Sequence, residues 1–227
     1  MRFCDMSFAM ESENRDLLVE GAKAFGIRLN KNQVAAFDLY LRELLKWNQK
    51  INLTAIRTEK GIVLKHFLDS LSVHPYLSET VSLLDIGSGA GFPGIPLKIA
   101  QPPLEITLID SVRKKTDFQR HIIRMLGLKG TQTIHGRIQD KDILQSMTGR
   151  FDTVISRAFS DLQNLLLLAF PFLKKGGILL AMKGDLDKEE IHFFSKGEEA
   201  RYQLKKTASF FLPKSSFKRT ILLFEKG

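Results

Sequence analysis

The chain has 227 residues, 44% of them hydrophobic and 26% charged, which excludes a disordered or low-complexity protein and allows one sizeable core. Its single cysteine, Cys4, excludes an internal disulfide and suits a reducing compartment. The formal net charge of +9 is uneven, with 11 Lys+Arg against 10 Asp+Glu over residues 1–80, 15 against 12 over 81–195 and 8 against 3 over 196–227. A basic excess favours a polyanionic partner through phosphate neutralisation, although solubility alone also accounts for one.

The opening "MRFCDMSFAMESENRD" has no sustained apolar core, so no signal peptide is expected. A first helix is expected from Arg15 to Phe25, ending near Gly26. Residues 31–50 set Val34, Phe37, Leu41, Leu44 and Leu45 on one stripe, an amphipathic helix. "GIVLKHFLDSLSVHPYL" reads as a third helix stopped by Pro75, so residues 1–80 form a helical extension. From Ser82 the rhythm becomes strand, helix, strand. Strands are expected at 82–86, 106–110, 131–135, 151–156 and 177–182, and helices near 93–101, 113–127, 161–174 and 187–199. This alternation predicts an α/β fold with a parallel sheet covered on both faces. "YQLKKTASFFL" and "TILLFEK", joined by "PKSSFKR", read as a closing antiparallel hairpin, since so short a link cannot cross over. The run "LLLLAFPFL" from Leu165 is too short for a bilayer, so a cytoplasmic protein without membrane association is expected.

The chemistry concentrates in "SLLDIGSGAGFPGIPLKIA", Ser82 to Ala100: a strand, a glycine turn and a helix start with Pro93 in its first turn. Gly87, Gly89 and Gly91 let the backbone turn sharply and come close to a ligand, leaving free amides at a helix N-terminus. The candidate ligands are a dinucleotide pyrophosphate, a triphosphate or S-adenosylmethionine. No Gly-Lys-Ser/Thr follows, so the P-loop pattern fails. The register leaving the strand is G-x-G-x-G. Asp85 beside it would repel a pyrophosphate but suit an ammonium and a sulfonium, and it would equally serve as an acceptor that holds the turn. Asp110 ends the next strand, placed to accept ribose hydroxyls, which NAD and S-adenosylmethionine share.

Several stretches carry a resemblance. "WNQKINLTAI" precedes "KHFLDSL", then "LLDIGSGAGFPGIPL", "LIDSVRKKTDFQ", "VISRAF" and "LLAMKG" follow, together covering residues 47–184. The chain resembles class I S-adenosylmethionine-dependent methyltransferases and, more closely, the RsmG (GidB) family, which methylates N7 of a guanine in small-subunit 16S ribosomal RNA. The resemblance implies a Rossmann-like domain over residues 81–227, with a seven-stranded, mostly parallel sheet, a cytoplasmic monomer, and small-subunit ribosomal RNA as partner, naked or within the 30S particle. It implies that Gly87 and Phe92 contact S-adenosylmethionine, that Ile138 and Gln139 frame the adenine, and that Arg157 in "SRAF" reaches the methionine carboxylate or the substrate. The family commonly has an acidic pair around position 139, where this chain reads "RIQD".

Elimination narrows the nucleophile. Pyrimidine C5 methylation needs a covalent cysteine, and Cys4 lies in a terminal segment. Exocyclic amines use an Asp/Asn-Pro-Pro-aromatic motif where this chain has "SRAF". Guanine N7 carries a lone pair and no proton, so a direct displacement needs alignment and no general base. Arg157 and Lys183 are then positioning candidates. Lys114 and Lys115, with Lys214, Lys218 and Arg219 at the hairpin, are candidate RNA contacts. His66 and Asp69 are three apart on a helix and read as a polar contact near the pocket mouth. They are too few for a metal site, and none is expected. Asn48, Asn52 and Thr54 are expected to cap and turn the chain out of the second helix. The competing readings are a 2′-O RNA methyltransferase with Lys183 as base, a small-molecule methyltransferase, an NAD-dependent oxidoreductase and a non-catalytic RNA-binding assembly factor.

Overall fold

The computed structural model describes residues 10–77, 81–157, 161–184 and 202–227. Cys4, Phe159 and the helix expected at 187–199 lie outside them. Two helices come first, α1 (Ser12–Lys23) and α2 (Lys31–Asn48). α2 opens on a reciprocal cap, in which the Asn30 side chain accepts from Gln33 N–H and the Gln33 side chain accepts from Asn30 N–H. The third expected helix is compound. α3 (Glu59–Ile62) runs into a π-helical stretch, Val63–Leu68, then α4 (Asp69–Leu71), with a 3₁₀ turn at His74–Tyr76 around Pro75.

The sheet then builds through β1 (Ser82–Ile86), α5 (Gly94–Ala100), β2 (Glu105–Asp110), α6 (Arg113–Leu126), β3 (Thr131–His135), α7 (Lys141–Met147), β4 (Phe151–Ser156), α8 (Leu162–Ala169) and β5 (Leu173–Lys183). The hairpin β6 (Tyr202–Phe211) and β7 (Lys218–Lys226) completes it. Strand order is β3-β2-β1-β4-β5-β7-β6, parallel from β3 to β5 and antiparallel at β5–β7 and β6–β7. α8 is shorter than its expected 161–174, because Pro171 turns the chain into a 3₁₀ step at Phe170–Phe172. β5 begins four residues earlier than expected, through the polar "LKKGG".

Side chains alternate across the sheet and feed two cores. Leu84, Ile86, Ile109 and Val154 face α7 and α8 on one side. Leu83, Ile106, Leu108 and Ile155 face the other core, which extends to Phe37, Tyr40 and Leu44 of α2 and to Phe67 and Leu68 of the π-helical stretch. The N-terminal helices therefore share a core with the sheet. This brings α2 and the π-helical stretch against the carboxyl edge of the parallel strands, where α/β sheets bind ligands.

Candidate active site

β1 delivers the chain into an elbow with left-handed backbone at Gly87, Gly89 and Gly91, φ 69°, 58° and 101°. The elbow is pinned on both sides. Gly87 N–H and Ser88 N–H both donate to the Ile109 carbonyl of β2, at 2.9 and 3.1 Å. Gln119 of α6, fully buried, donates through Nε2 to Ser88 Oγ at 2.8 Å and to the Gly89 carbonyl at 2.7 Å. The glycines differ in what they face. A Cβ on Gly91 would meet Ile95 Cδ1 at 2.4 Å and the Tyr40 hydroxyl at 2.9 Å, and one on Gly94 would meet Leu108 Cδ2 at 2.4 Å. A Cβ on Gly89 would meet nothing within 4 Å. Gly91 and Gly94 serve packing, and Gly89 fronts open space. Pro93 stands one residue before α5, at its N-cap.

Two carboxylates hold this elbow. Asp85 is fully buried, and its Oδ2 accepts from Gly94 N–H at 2.8 Å, fixing the first turn of α5 to β1. Burial pushes its carboxyl up to about 7, against the opposing pull of that hydrogen bond. Its Oδ1 is buried without a partner among the described residues, as is Gln119 Oε1. Asp110 accepts from Gly89 N–H through Oδ2 and from Val112 N–H through Oδ1, both at 2.8 Å. Each of its oxygens keeps a further lone pair. Both acids thus act as acceptors that hold the turn, and one buried Asp85 oxygen is left unpaired among the described residues. Ile138 is buried beyond β3 on the α7 side, and Gln139 beside it is exposed.

Phe92 joins the elbow to the helices. It lies between Tyr40 of α2 (ring centroids 5.3 Å apart, 21° between planes) and His66 (4.4 Å, 12°). Tyr40 also donates to the Ala90 carbonyl at 2.6 Å. The Arg157 guanidinium sits over Phe92, 5.2 Å from its centroid. Arg157 Nη1 donates to the Lys65 carbonyl at 3.0 Å and to Asp69 Oδ2 at 3.3 Å, and Nη2 meets His66 Nδ1 at 3.1 Å. An arginine only donates, so His66 Nδ1 accepts, and its Nε2–H donates to Thr54 Oγ1 at 2.7 Å. Burial, together with the Arg157 charge, drives the His66 pKa down to about 3, which keeps the ring neutral and removes it as a base at neutral pH. Asp69, nearly buried, is shared: its Oδ1 accepts from Arg219 Nε at 2.7 Å. His66 and Asp69 thus make the expected helix-to-sheet polar contact, both through Arg157 just past the end of β4. Asn48 turns the chain there as expected, accepting from Leu53 and Thr54 N–H.

Beside this network a cleft of about 290 Å³ is lined by Lys65, Asp69, Arg157, Met182, Lys183 and Arg219. Arg157 and Lys183 therefore lie together at the ends of β4 and β5. Arg219, expected with the RNA contacts of the hairpin, turns inward to Asp69 instead of standing on the tip. Lys214 is exposed at that tip, and Lys218 starts β7. Lys114 and Lys115 open α6 just past Asp110, the first exposed and the second half-buried. Gln119 and Tyr40 were not singled out from sequence. Tyr40 had a legible signal, since it follows Phe37 by three residues and is fully buried on the same stripe, whereas Val34 and Leu45 are only half-buried.

A family model described as rRNA small subunit methyltransferase G (GidB) matches residues 33–221. The chain belongs to that family. A Ribosomal RNA small subunit methyltransferase G of Geobacter metallireducens is 43% identical over 215 residues, 94% of this chain and 97% of that protein. One of Acetivibrio thermocellus is 39% identical over 217 residues, 95% and 90%. Among solved structures, a 1,6-didemethyltoxoflavin-N1-methyltransferase of Burkholderia thailandensis with bound S-adenosylhomocysteine superposes with TM-score 0.54 at 14% identity, covering 70% of this chain and 76% of that one. TrmN of Thermus thermophilus gives 0.53 at 12%, covering 73% and 53%. At such identities these two share the fold. The small subunit methyltransferase G match spans the elbow, the Phe92 stack and the Arg157 cleft, so the geometry above belongs to the part of the chain that defines the family. No group of three or more His, Cys, Asp or Glu among the described residues could hold a metal ion, and no described helix is long and apolar enough to cross a membrane.

Proposed function

We propose that this chain transfers the methyl group of S-adenosylmethionine to N7 of a guanine in small-subunit ribosomal RNA, the family's target being guanine 527. The observation that carries the reading is the juxtaposition at one sheet edge of an elbow open at Gly89 and a cationic cleft organised by Arg157. The residues fit the cofactor. Gly89 leaves room for close approach, the orphaned Asp85 Oδ1 suits an ammonium, and Asp110 has lone pairs for ribose hydroxyls. When bound, S-adenosylmethionine supplies an electrophilic methyl on a cationic sulfur.

The chain's own part is alignment. Phe92, fixed between Tyr40 and His66, holds the elbow's outer lip in place. Arg157, tied to the Lys65 carbonyl, to His66 and to Asp69, has little freedom and orients what enters the cleft. No base is required by a guanine N7, and the neutral, doubly bonded His66 is not one. The base gains positive charge as the methyl arrives, and the Asp69 carboxylate limits the opposing field of Arg157 and Arg219. Arg113, Lys114 and Lys115 crowd the uncapped N-terminus of α6, an arrangement that a nearby phosphate would stabilise. The chain acts in the cytoplasm as a monomer.

The test is labelled methyl transfer from S-adenosylmethionine to small-subunit ribosomal RNA from cells lacking the gene, with strand cleavage at N7-methylguanine. A single new cleavage site at a guanine supports the proposal. Label at a ribose 2′ oxygen, or none on naked RNA and assembled particle alike, rejects it.

A further inference from the structure

We propose that the β6–β7 hairpin tip is a stacking platform for a single-stranded RNA segment flanking the target guanine, with Phe211 as the base-stacking surface; this rests on the function proposed above. Phe211 is 63% exposed, and among the described residues the other large exposed apolar side chains are Val81, Met125 and Leu167, none aromatic. A lone exposed aromatic is common and by itself means little. Its surroundings decide here. Phe211 pairs with Lys218 across the hairpin, while Phe210 pairs with Arg219. Phe210 packs edge-on against Phe25, and Arg219 bonds Asp69, so alternation puts Phe211 and Lys218 together on the other face. Exposed Lys214 stands in the turn between them.

The tip is also held rigid. Leu212 N–H donates to the Phe217 carbonyl, Ser215 N–H donates to the Leu212 carbonyl, and the Leu212 side chain is buried. Lys65 of the cleft lies 4.0 Å over the Phe217 ring, on the face that packs the N-terminal helices, so a strand running from the cleft to Phe211 crosses the sheet edge at the tip. β4 and β5 end, β7 begins and β6 ends at one edge of the sheet, since Lys183 lies opposite Thr220 and Phe211 opposite Lys218. The ends of β4 and β6 lie three strand spacings apart, roughly 14 Å, and Phe211 stands four residues beyond the β6 position level with Ser156, about 13 Å along the strand, so the two are separated by roughly 20 Å, a reach of three or four nucleotides. A rigid aromatic face flanked by cations at that distance matches the chemistry of single-stranded nucleic acid, whose bases stack and whose phosphates need cations.

The test uses the full chain and a single-stranded oligoribonucleotide carrying the small-subunit sequence around the modified guanine. Binding is followed by fluorescence anisotropy over a salt series, with S-adenosylmethionine affinity and thermal midpoint measured in parallel. Phe211→Ala should weaken RNA binding roughly 5- to 150-fold with cofactor affinity and midpoint unchanged, and the slope of log affinity against log salt should stay as in wild type. Phe211→Trp should restore binding. Lys218→Met should instead reduce that slope by about 0.7. Wild-type affinity in Phe211→Ala, or a loss that tryptophan fails to rescue, overturns the proposal. So does a defect seen only on assembled particles, which would assign the tip to a protein partner. Absence of methyl transfer by the wild-type chain is a separate result, and it rejects the proposed function rather than the platform.

Discussion

Replacing Gly89 by alanine separates ligand approach from folding. Gly89 has φ 58°, and its new Cβ would meet no protein atom within 4 Å. The folding penalty is therefore backbone strain alone, about 1–2 kcal/mol, partly offset by about 0.4–1 kcal/mol from a less flexible unfolded chain. The net is about 1 kcal/mol, a drop of roughly 2–4 °C in thermal midpoint for a chain of this size. Gly149 is its control. Its φ is 68°, its Cβ space is equally empty, and it precedes β4 at the opposite edge of the sheet. Gly149→Ala should lose the same stability and bind S-adenosylmethionine like wild type. Gly89→Ala should bind it about tenfold or more weakly, about 1.4 kcal/mol, because the added methyl enters the space given to the ligand. Gly94→Ala brings the opposite signature, with overpacking against Leu108 and Asp85 of about 1–3 kcal/mol and a larger fall in midpoint. Calorimetric titration and thermal unfolding of the three variants decide the matter. Unimpaired binding by Gly89→Ala would refute the reasoning.

Three further outcomes follow from the network. Asp69→Ala leaves Arg157 and Arg219 without their shared carboxylate; each keeps about a fifth of its side chain in water, so urea unfolding should show a loss of about 2–4 kcal/mol, with Asp69→Asn losing less. His66 and Asp85 set opposing pH slopes. Unfolded chains protonate His66 near 6.5 but the fold does not until about 3, so its stability contribution is lost as pH falls through that range. Folded Asp85 keeps its proton up to about 7, against 3.8 unfolded, so its contribution is lost as pH rises between these values. Each slope is about 1.4 kcal/mol per pH unit, and where they overlap, between 3.8 and 6.5, they offset. Asp85→Asn should therefore show a steeper loss of urea stability on acidification than wild type, yet be at least as stable at about pH 8, roughly one unit above the folded titration of Asp85. Lys183→Met should lower kcat by less than about tenfold and leave its pH profile unchanged, whereas loss of a general base would cost about 10²–10⁴-fold.

Much of the sheet was legible because its strands are short apolar runs between turn residues. β1, β3 and β4 lie where their patterns predict, and the "SRAF" arginine lies in the cleft just past the end of β4. α7 was missed because it is seven residues long and buries only Ile143 and Met147, too few to show a period. In sequence the π-helical stretch is indistinguishable from ordinary helix, since one wide turn leaves almost no mark on a hydrophobic pattern. Yet it carries the Lys65 carbonyl that receives Arg157. The Asp69–Arg219 pair spans 150 residues, and no local spacing encodes it. Asp85 was legible as an acid at the elbow, but its division into one bonded and one orphaned oxygen depends on where α5 begins.

Replacing the N7 atom of the target tests the central claim most directly. Small-subunit RNA in which the modified guanine is 7-deazaguanine keeps its shape and its phosphates but has no lone pair at that position. The account predicts that this RNA binds like the natural one and accepts no labelled methyl from S-adenosylmethionine. Methyl incorporation at the wild-type rate would contradict it.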